Sequence, residues 1–550
     1  MAAEGVSLSL FFGLMVVFVA VTILLGLYGY RHTKSNQQFL LGRNKSNTVI
    51  IALSYGATFL SASAIIGFGG QAATHGMSLM WLCFLNLALG LFVAFVLFGP
   101  RVRRVGKKLG ASTFADLLGK IFKSDGIRGF TALIIIIMMP IYAAAVLKGG
   151  VNTLVVLTGM TDLYDIILII LAIIVGLYVV YGGIIAVMYN DALQAGIMIV
   201  GMVVILAVTL YELGGFTAAA NALTGMSSGG GTGSGFTSYT GIPAFNTQEW
   251  WTVVSTFLLG VGIGALTQPQ LVVRFMSAKS DKMLNRSLIV GSIFMFAIVG
   301  SAYTVGAFTN VYFLDTYGMT SYDYVVGVLH QGVDFIIPNY VLGVFSEYPF
   351  GDVFICIFLL TLLCAAISTL SALMHTIGTA GGHDLYTILK NRKAKSDEDF
   401  QSLRVNRMVT AVVMVLVVVY CYLMPGDIIA KATSLFMGLT AAAMLPLMVY
   451  GLFSKRPKKN VAIASMTVGT ASYLFWALFI NKGMSIFLPV CKWITGNPVL
   501  FMEGNLQFVD ALVISLPLSA LTLIVAYLIQ RWREPKAVAE AEADESTADS

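Results

Sequence analysis

The sequence predicts an all-α integral membrane protein of about 13 transmembrane helices, with a core of five-plus-five inverted repeats whose first helices are broken. Three observations lead there: the composition, the placement of basic residues between apolar runs, and two interrupted runs at matching positions. Of 550 residues, 58% are hydrophobic and only 11% charged, with mean hydropathy +0.86. An ordinary soluble chain carries about 25% charged residues. The first run, 6–29, lacks the basic start and small-residue cleavage site of a signal peptide, so it reads as a retained helix. Cys83, Cys356, Cys364 and Cys421 fall inside apolar runs, giving neither a disulfide framework nor metal-ligand spacing.

Runs able to cross a hydrocarbon core, at ~20 residues each, lie in order at 6–29, 47–73, 79–99, 130–157, 164–182, 191–212, 250–273, 287–311, 350–380, 407–424, 427–453, 459–480 and 508–530. They are spans 1 to 13 below. With the N-terminus outside, 29 of the 33 lysines and arginines fall on the cytoplasmic side, as the positive-inside rule requires. The net charge of +6 therefore marks topology in a cell-membrane protein rather than nucleic-acid binding. The chain divides into span 1 with a basic loop (1–46), a first repeat (47–212), a Gly/Ser-rich extracellular loop (213–249), a second repeat (250–453), spans 12 and 13 (454–531) and an acidic cytoplasmic tail (532–550). The tail has no apolar period and reads as disordered.

Span 2 carries SASAIIGFGG, and span 7 carries LLGVGIGALTQPQ with Pro269. Span 7 follows span 2 by five helices, so spans 2–6 and 7–11 can form repeats of opposite orientation. Paired interruptions at equivalent places point to a transporter's midplane site, because unwound backbone offers its carbonyls and amides to a ligand. Close packing through small residues is the plainer alternative for either helix alone. The polar residues at these interruptions, Ser61, Ser63 and Gln268, are candidate solute ligands.

Span 9 contains CAAISTLSALMHT, in which Ser368, Thr369 and Ser371 crowd one or two turns. Hydroxyls suit a hard cation such as sodium; back-bonding to the preceding turn is their alternative use. Asp191 opens span 6 in YNDALQ, where a carboxylate is also good N-terminal helix chemistry. Lys148 stands within span 4, and an ammonium there costs roughly 3 kcal/mol on insertion scales. Three roles are open to it: contact with a substrate carboxylate, a structural partnership, and snorkelling to the interface.

The stretches FLLGRNKSNTVIIALSYGATFLSASAIIGFGG, TFADLLGKIF, YGGIIAVMYNDALQ, QPQLVVRFMSAKS and AAISTLSALMHTIGTAGGHDLY resemble, in order, the motifs of the sodium:solute symporter family. The resemblance covers about residues 5 to 530. It implies thirteen helices, an outside N-terminus and the amino-acid/sodium symporter-like fold. It also implies a main sodium site at the positions of Ala57, Leu60, Ala365, Ser368 and Thr369. A second sodium site or release path, used by some members, corresponds to Asp191 and Ser371, but Ala372 stands where a further hydroxyl is found. Proline-type members carry an acidic residue in span 2 where this chain has Phe59.

The expected function is therefore sodium-coupled symport of a small organic solute, a carboxylate if Lys148 meets it, by alternating access in the lipid bilayer. Sodium is the expected coupling ion. Alternatives are a proline-type amino-acid symporter and a transporter-like sensor. No Walker loop or nucleophile-and-base constellation is present to support an enzyme.

Overall fold

The computed structural model describes residues 7–42, 47–226, 233–390, 397–424 and 429–548, and every regular element among them is helical. Part of the Gly/Ser-rich loop, 227–232, lies outside the described residues. Among the described residues, eleven helical stretches are long and apolar enough to cross a membrane. Two are double: Ser63–Leu109 turns at Gly76 (φ 75°), and Thr161–Glu212 turns at Gly183 (φ 57°, ψ −155°). With those turns counted, the chain makes the thirteen crossings expected. Gly183 has no alternative residue, because a Cβ there would stand 2.7 to 3.0 Å from atoms of Phe39.

Both predicted breaks are present. Span 2 runs as Thr48–Phe59, leaves helical geometry at Leu60 (φ −93°, ψ 82°) and restarts at Ser63. Span 7 leaves it at Gln268 (φ −69°, ψ 115°) and restarts as Pro269–Met276. Proline explains the second restart: it pushes the residue before it into extended geometry and suits the first helical position, where no N–H is needed. At the first break, the Ser63 N–H donates to Ser61 Oγ (3.1 Å), so the side chain serves a backbone donor that the missing turn leaves behind.

Spans 9 and 11 are mostly buried, whereas spans 1 and 13 are mostly exposed. Span 9 packs chiefly on spans 5 and 6 and on span 4, while spans 12 and 13 pair with each other and lean on span 11. The two broken helices are tied at both ends. At one end His75 Nδ1 lies 2.5 Å from Glu249 Oε1, both buried. At the other, Arg274 reaches across to Ser54.

The TFADLLGKIF and GGHDLY motifs meet near the ends of spans 3, 4 and 9. Thr113 caps Phe114–Phe122 and donates to the Asp384 carboxylate (2.8 and 2.9 Å), while Arg128 bonds Asp384 and Lys120 bonds Asp116. Asp116, His383 and Asp384 are close enough to suggest a metal, but both carboxylates are already committed to cations of the chain.

Two sequence expectations change. Span 13 continues as helix from Ala511 to Ala548, through most of the tail expected to lack regular structure. Span 6 begins directly after Gly183, two turns before Asp191, so Asp191 is an interior residue of its helix rather than part of its first turn. The apolar IIAVMY that fills those two turns gives no hydropathy signal of the reversal.

Candidate functional site

The break in span 2 faces the middle of span 9. Ser368 Oγ donates to the Ala57 carbonyl (2.9 Å) and lies 3.2 Å from the Ala365 carbonyl. Thr369 Oγ1 donates to the Thr58 carbonyl (3.2 Å). Ser368 thus stands between Ala57 and Ala365, Thr369 reaches the neighbouring carbonyl of Thr58, and Leu60 is the residue at which the helix breaks; all five expected positions are buried. A hydroxyl that now donates to a carbonyl keeps its lone pairs. Rotating its hydrogen away turns both oxygens into ligands for a hard cation, as carbonyl rings replace hydration water in ion filters. The donor set is neutral and all oxygen, which fits sodium.

On the restarting half of span 2, Ser63 Oγ lies 2.9 Å from Thr433 Oγ1 of span 11, and Tyr142 of span 4 donates to Ser61 Oγ (3.4 Å). The Tyr142 ring stacks against Phe436, at 6.0 Å between centroids and 23° between planes. Gln268, at the other break, donates from Nε2 to the Gly264 carbonyl (3.0 Å) and to Thr440 Oγ1 (2.9 Å). Ser61, Ser63 and Gln268 are all buried at the breaks, as expected. Tyr142, Thr433 and Thr440 were missed. Tyr142 has only apolar residues beside it in the sequence, and both threonines also back-bond to their own turn (2.7 and 3.0 Å), the ordinary use of a helical threonine, so nothing local marks them.

Lys148 lies elsewhere. Its ammonium donates to the carbonyls of Cys421 (3.0 Å) and Met424, at the end of span 10. A cation at a helix C-terminus satisfies orphan carbonyls and meets the negative end of the helix dipole. Of the three roles open to Lys148, these contacts support the structural one, with backbone carbonyls instead of a carboxylate.

Asp191 and Ser371 do meet, at 3.4 Å between Ser371 Oγ and Asp191 Oδ1. The other carboxylate oxygen, however, is occupied: Arg274 donates to it (2.7 Å), as do Ser54 (2.8 Å) and Thr58 (3.2 Å). Arg274 also bonds Ser54 Oγ (2.8 Å), Thr58 Oγ1 and the Gln270 carbonyl. It is 1% exposed, among the largest fully buried side chains. Sequence reading counted it with the basic loop after span 7; it belongs instead to the last turn of Pro269–Met276. A buried charge survives only when paired and hydrogen-bonded, and this pair meets both conditions.

A broken helix in each half, cation-suited oxygens at one break and a buried cluster of hydroxyls beside it are the marks of a secondary transporter of the inverted-repeat type. The sequence profile of the sodium:solute symporter family matches residues 39–469, so the chain belongs to that family, and its function is sodium-coupled symport of a small solute across a membrane. Among curated relatives, sodium/proline symporter 2 of Staphylococcus saprophyticus is 26% identical over 484 residues, covering 86% of this chain and 87% of the relative. The sodium/proline symporter of Staphylococcus aureus is 25% identical over 524 residues, covering 91% and 96%. The fold is also that of a Na+-coupled sialic acid symporter in a substrate-bound outward-open state. The TM-score is 0.71 at 18% identity, with 94% of this chain and 98% of that one aligned.

Proposed function

We propose that the chain imports a small organic carboxylate with sodium across the cell membrane, its N-terminus outside and its C-terminus in the cytoplasm. The sodium ion is held by the carbonyls of Ala57, Leu60 and Ala365 and the hydroxyls of Ser368 and Thr369. The observation that carries this reading is the meeting of those hydroxyls with the carbonyls at the break of span 2. The solute binds on the other side of the same break, against Ser61, Ser63, Tyr142 and Thr433.

With Lys148 engaged at span 10, a carboxylate is better received by the restarting half-helix. Its first N–H groups and the positive end of its dipole attract an anion without a full charge. Proline, which names the relatives, is a carboxylate of suitable size and is the first solute to try. Phe59 leaves its ammonium group without the acidic partner of the proline-type members. A sensor would bind the same solute without moving it.

The test is uptake into proteoliposomes of radiolabelled amino acids, short monocarboxylates and sugars, with and without an inward sodium gradient. Saturable, sodium-driven accumulation of a carboxylate and not of its amide supports the proposal. Preference for the amide or for a sugar removes the carboxylate, and binding without accumulation replaces transport by sensing.

A further inference from the structure

Spans 1, 5 and 10 meet on the periphery of the bundle, away from both breaks. Two apolar cavities, about 410 and 400 Å³, flank span 5 there. The first lies between spans 1 and 5 and is walled by Ile23 and Leu27; the second, between spans 5 and 10, is walled by Ile173 and Val415. Leu177 and Tyr181, one turn apart on span 5, line both, so the cavities are two furrows beside a single ridge. These walls are exposed: Leu177 is 54% and Val415 65% accessible. Gly26 and Gly176 line the furrows where larger side chains would close them. From Ile169 to Tyr181 the second furrow runs roughly 18 Å at ~1.5 Å per residue. One leaflet of a ~30 Å hydrocarbon core is of comparable depth.

Where the furrows converge, the rings of Tyr30 and Tyr181 meet edge to face at 6.0 Å. The Arg407 guanidinium stands 6.0 Å from the first ring and 5.7 Å from the second, and donates to the Tyr181 carbonyl (3.1 Å). Its Nε is buried and has no hydrogen-bond partner, and no salt bridge involves Arg407 among the described residues. Exposed Arg31 and Lys34 follow Tyr30 closely. Tyrosines at helix ends mark the headgroup level of a membrane protein, and a guanidinium fork matches phosphate oxygens.

We propose that this is a binding site for one anionic diacyl phospholipid, its phosphate on Arg407 and one acyl chain in each furrow. One cation at the junction of two apolar furrows is the complement of one headgroup carrying two chains. A net anionic headgroup is selected because a choline would add its own positive charge to that of Arg407, close to the helix end that carries Arg31 and Lys34. The lipid bridges spans 1, 5 and 10 without entering the transport site.

The test uses the full chain, incorporated into nanodiscs of equimolar palmitoyl-oleoyl phosphatidylglycerol and phosphatidylcholine and then examined by native mass spectrometry. The wild type should retain one phosphatidylglycerol in preference to phosphatidylcholine by about fivefold or more. Arg407→Gln should bring the two lipids to parity, Arg407→Lys should keep part of the preference, and Leu177→Trp, which fills both furrows, should lose both adducts. On the unmodified protein, phosphatidylglycerol added to delipidated sample should raise the melting temperature and phosphatidylcholine or inorganic phosphate should not. Equal retention of the two lipids by the wild type, or an unchanged preference in Arg407→Gln, overturns the proposal. So does equal stabilisation by the two lipids.

Discussion

The breaks in spans 2 and 7 occupy equivalent points of two repeats, yet they resolve the same backbone problem in opposite ways. At span 7 the opened turn is closed by its own sequence: Gln268 bonds the Gly264 carbonyl and Thr440, and Pro269 removes one orphan donor. At span 2 the carbonyls of Ala57 and Thr58 are met only by single hydroxyls from span 9. A carboxamide fixed on a carbonyl is hard to displace, whereas a hydroxyl can rotate and become a ligand beside the carbonyl it served. The symmetry therefore supplies two breaks, and the side chains leave one of them open to a cation. The halves remain coupled because the Arg274 side chain of broken span 7 bonds Ser54 and Thr58 of broken span 2.

The largest expected effect comes from cutting that tie. Arg274→Ala leaves Asp191 charged, buried and short of its partner, and breaking a buried pair on one side costs ~3–5 kcal/mol. The variant should melt well below wild type. The double variant Arg274→Met, Asp191→Leu removes both charges and should recover much of the loss, while transport stays impaired because the broken helices are no longer tied. A double variant that melts as low as the single one would show that the pair matters through shape rather than charge.

Next in size is a direct contrast between the breaks. Thr369→Ala removes one ligand of the proposed sodium site, and hydrogen-bond or ligand contacts to a charge contribute roughly 1.5–3 kcal/mol, or about tenfold to hundredfold. The sodium concentration for half-maximal uptake should rise by that order. Gln268→Ala takes the shorter of two hydrogen bonds from the Gly264 carbonyl, leaving the Thr267 hydroxyl at 3.5 Å, and should lower stability by about 0.5–1.5 kcal/mol, with little change in sodium dependence. If Gln268→Ala shifts the sodium dependence as far as Thr369→Ala does, the asymmetry between the breaks is wrong.

Much of this was legible because the signals are local. Hydropathy located all thirteen spans, and Pro269, the SASA serines and the glycines of each interrupted run marked the breaks. What escaped depends on contacts distant in sequence. Arg274 looked like a loop cation because it precedes three other basic residues closely, and only Asp191, 83 positions away, explains its burial. Asp191 seemed a helix start because the reversal at Gly183 lies inside uninterrupted apolar sequence. Tyr142 and Thr433 are unremarkable singly; it is span packing that sets them against Ser61 and Ser63.

The smallest effect separates Lys148 from both breaks. Its ammonium is spent on the carbonyls of Cys421 and Met424, so Lys148→Met removes hydrogen bonds at the end of span 10 while preserving most of the side chain's bulk. Helix-end cations contribute about 0.3–1 kcal/mol at exposed sites and up to ~2 in partly buried ones, and Lys148 is half-buried. Melting should fall modestly. Affinities for a transported carboxylate and for its neutral amide analogue, measured at saturating sodium, should change by the same factor, because neither molecule meets the ammonium. A selective loss of the acid, tenfold or more, would bring Lys148 back to the solute. It would require the end of span 10 to release the ammonium during transport, making the carbonyl contact one state of a lysine that alternates between helix and substrate.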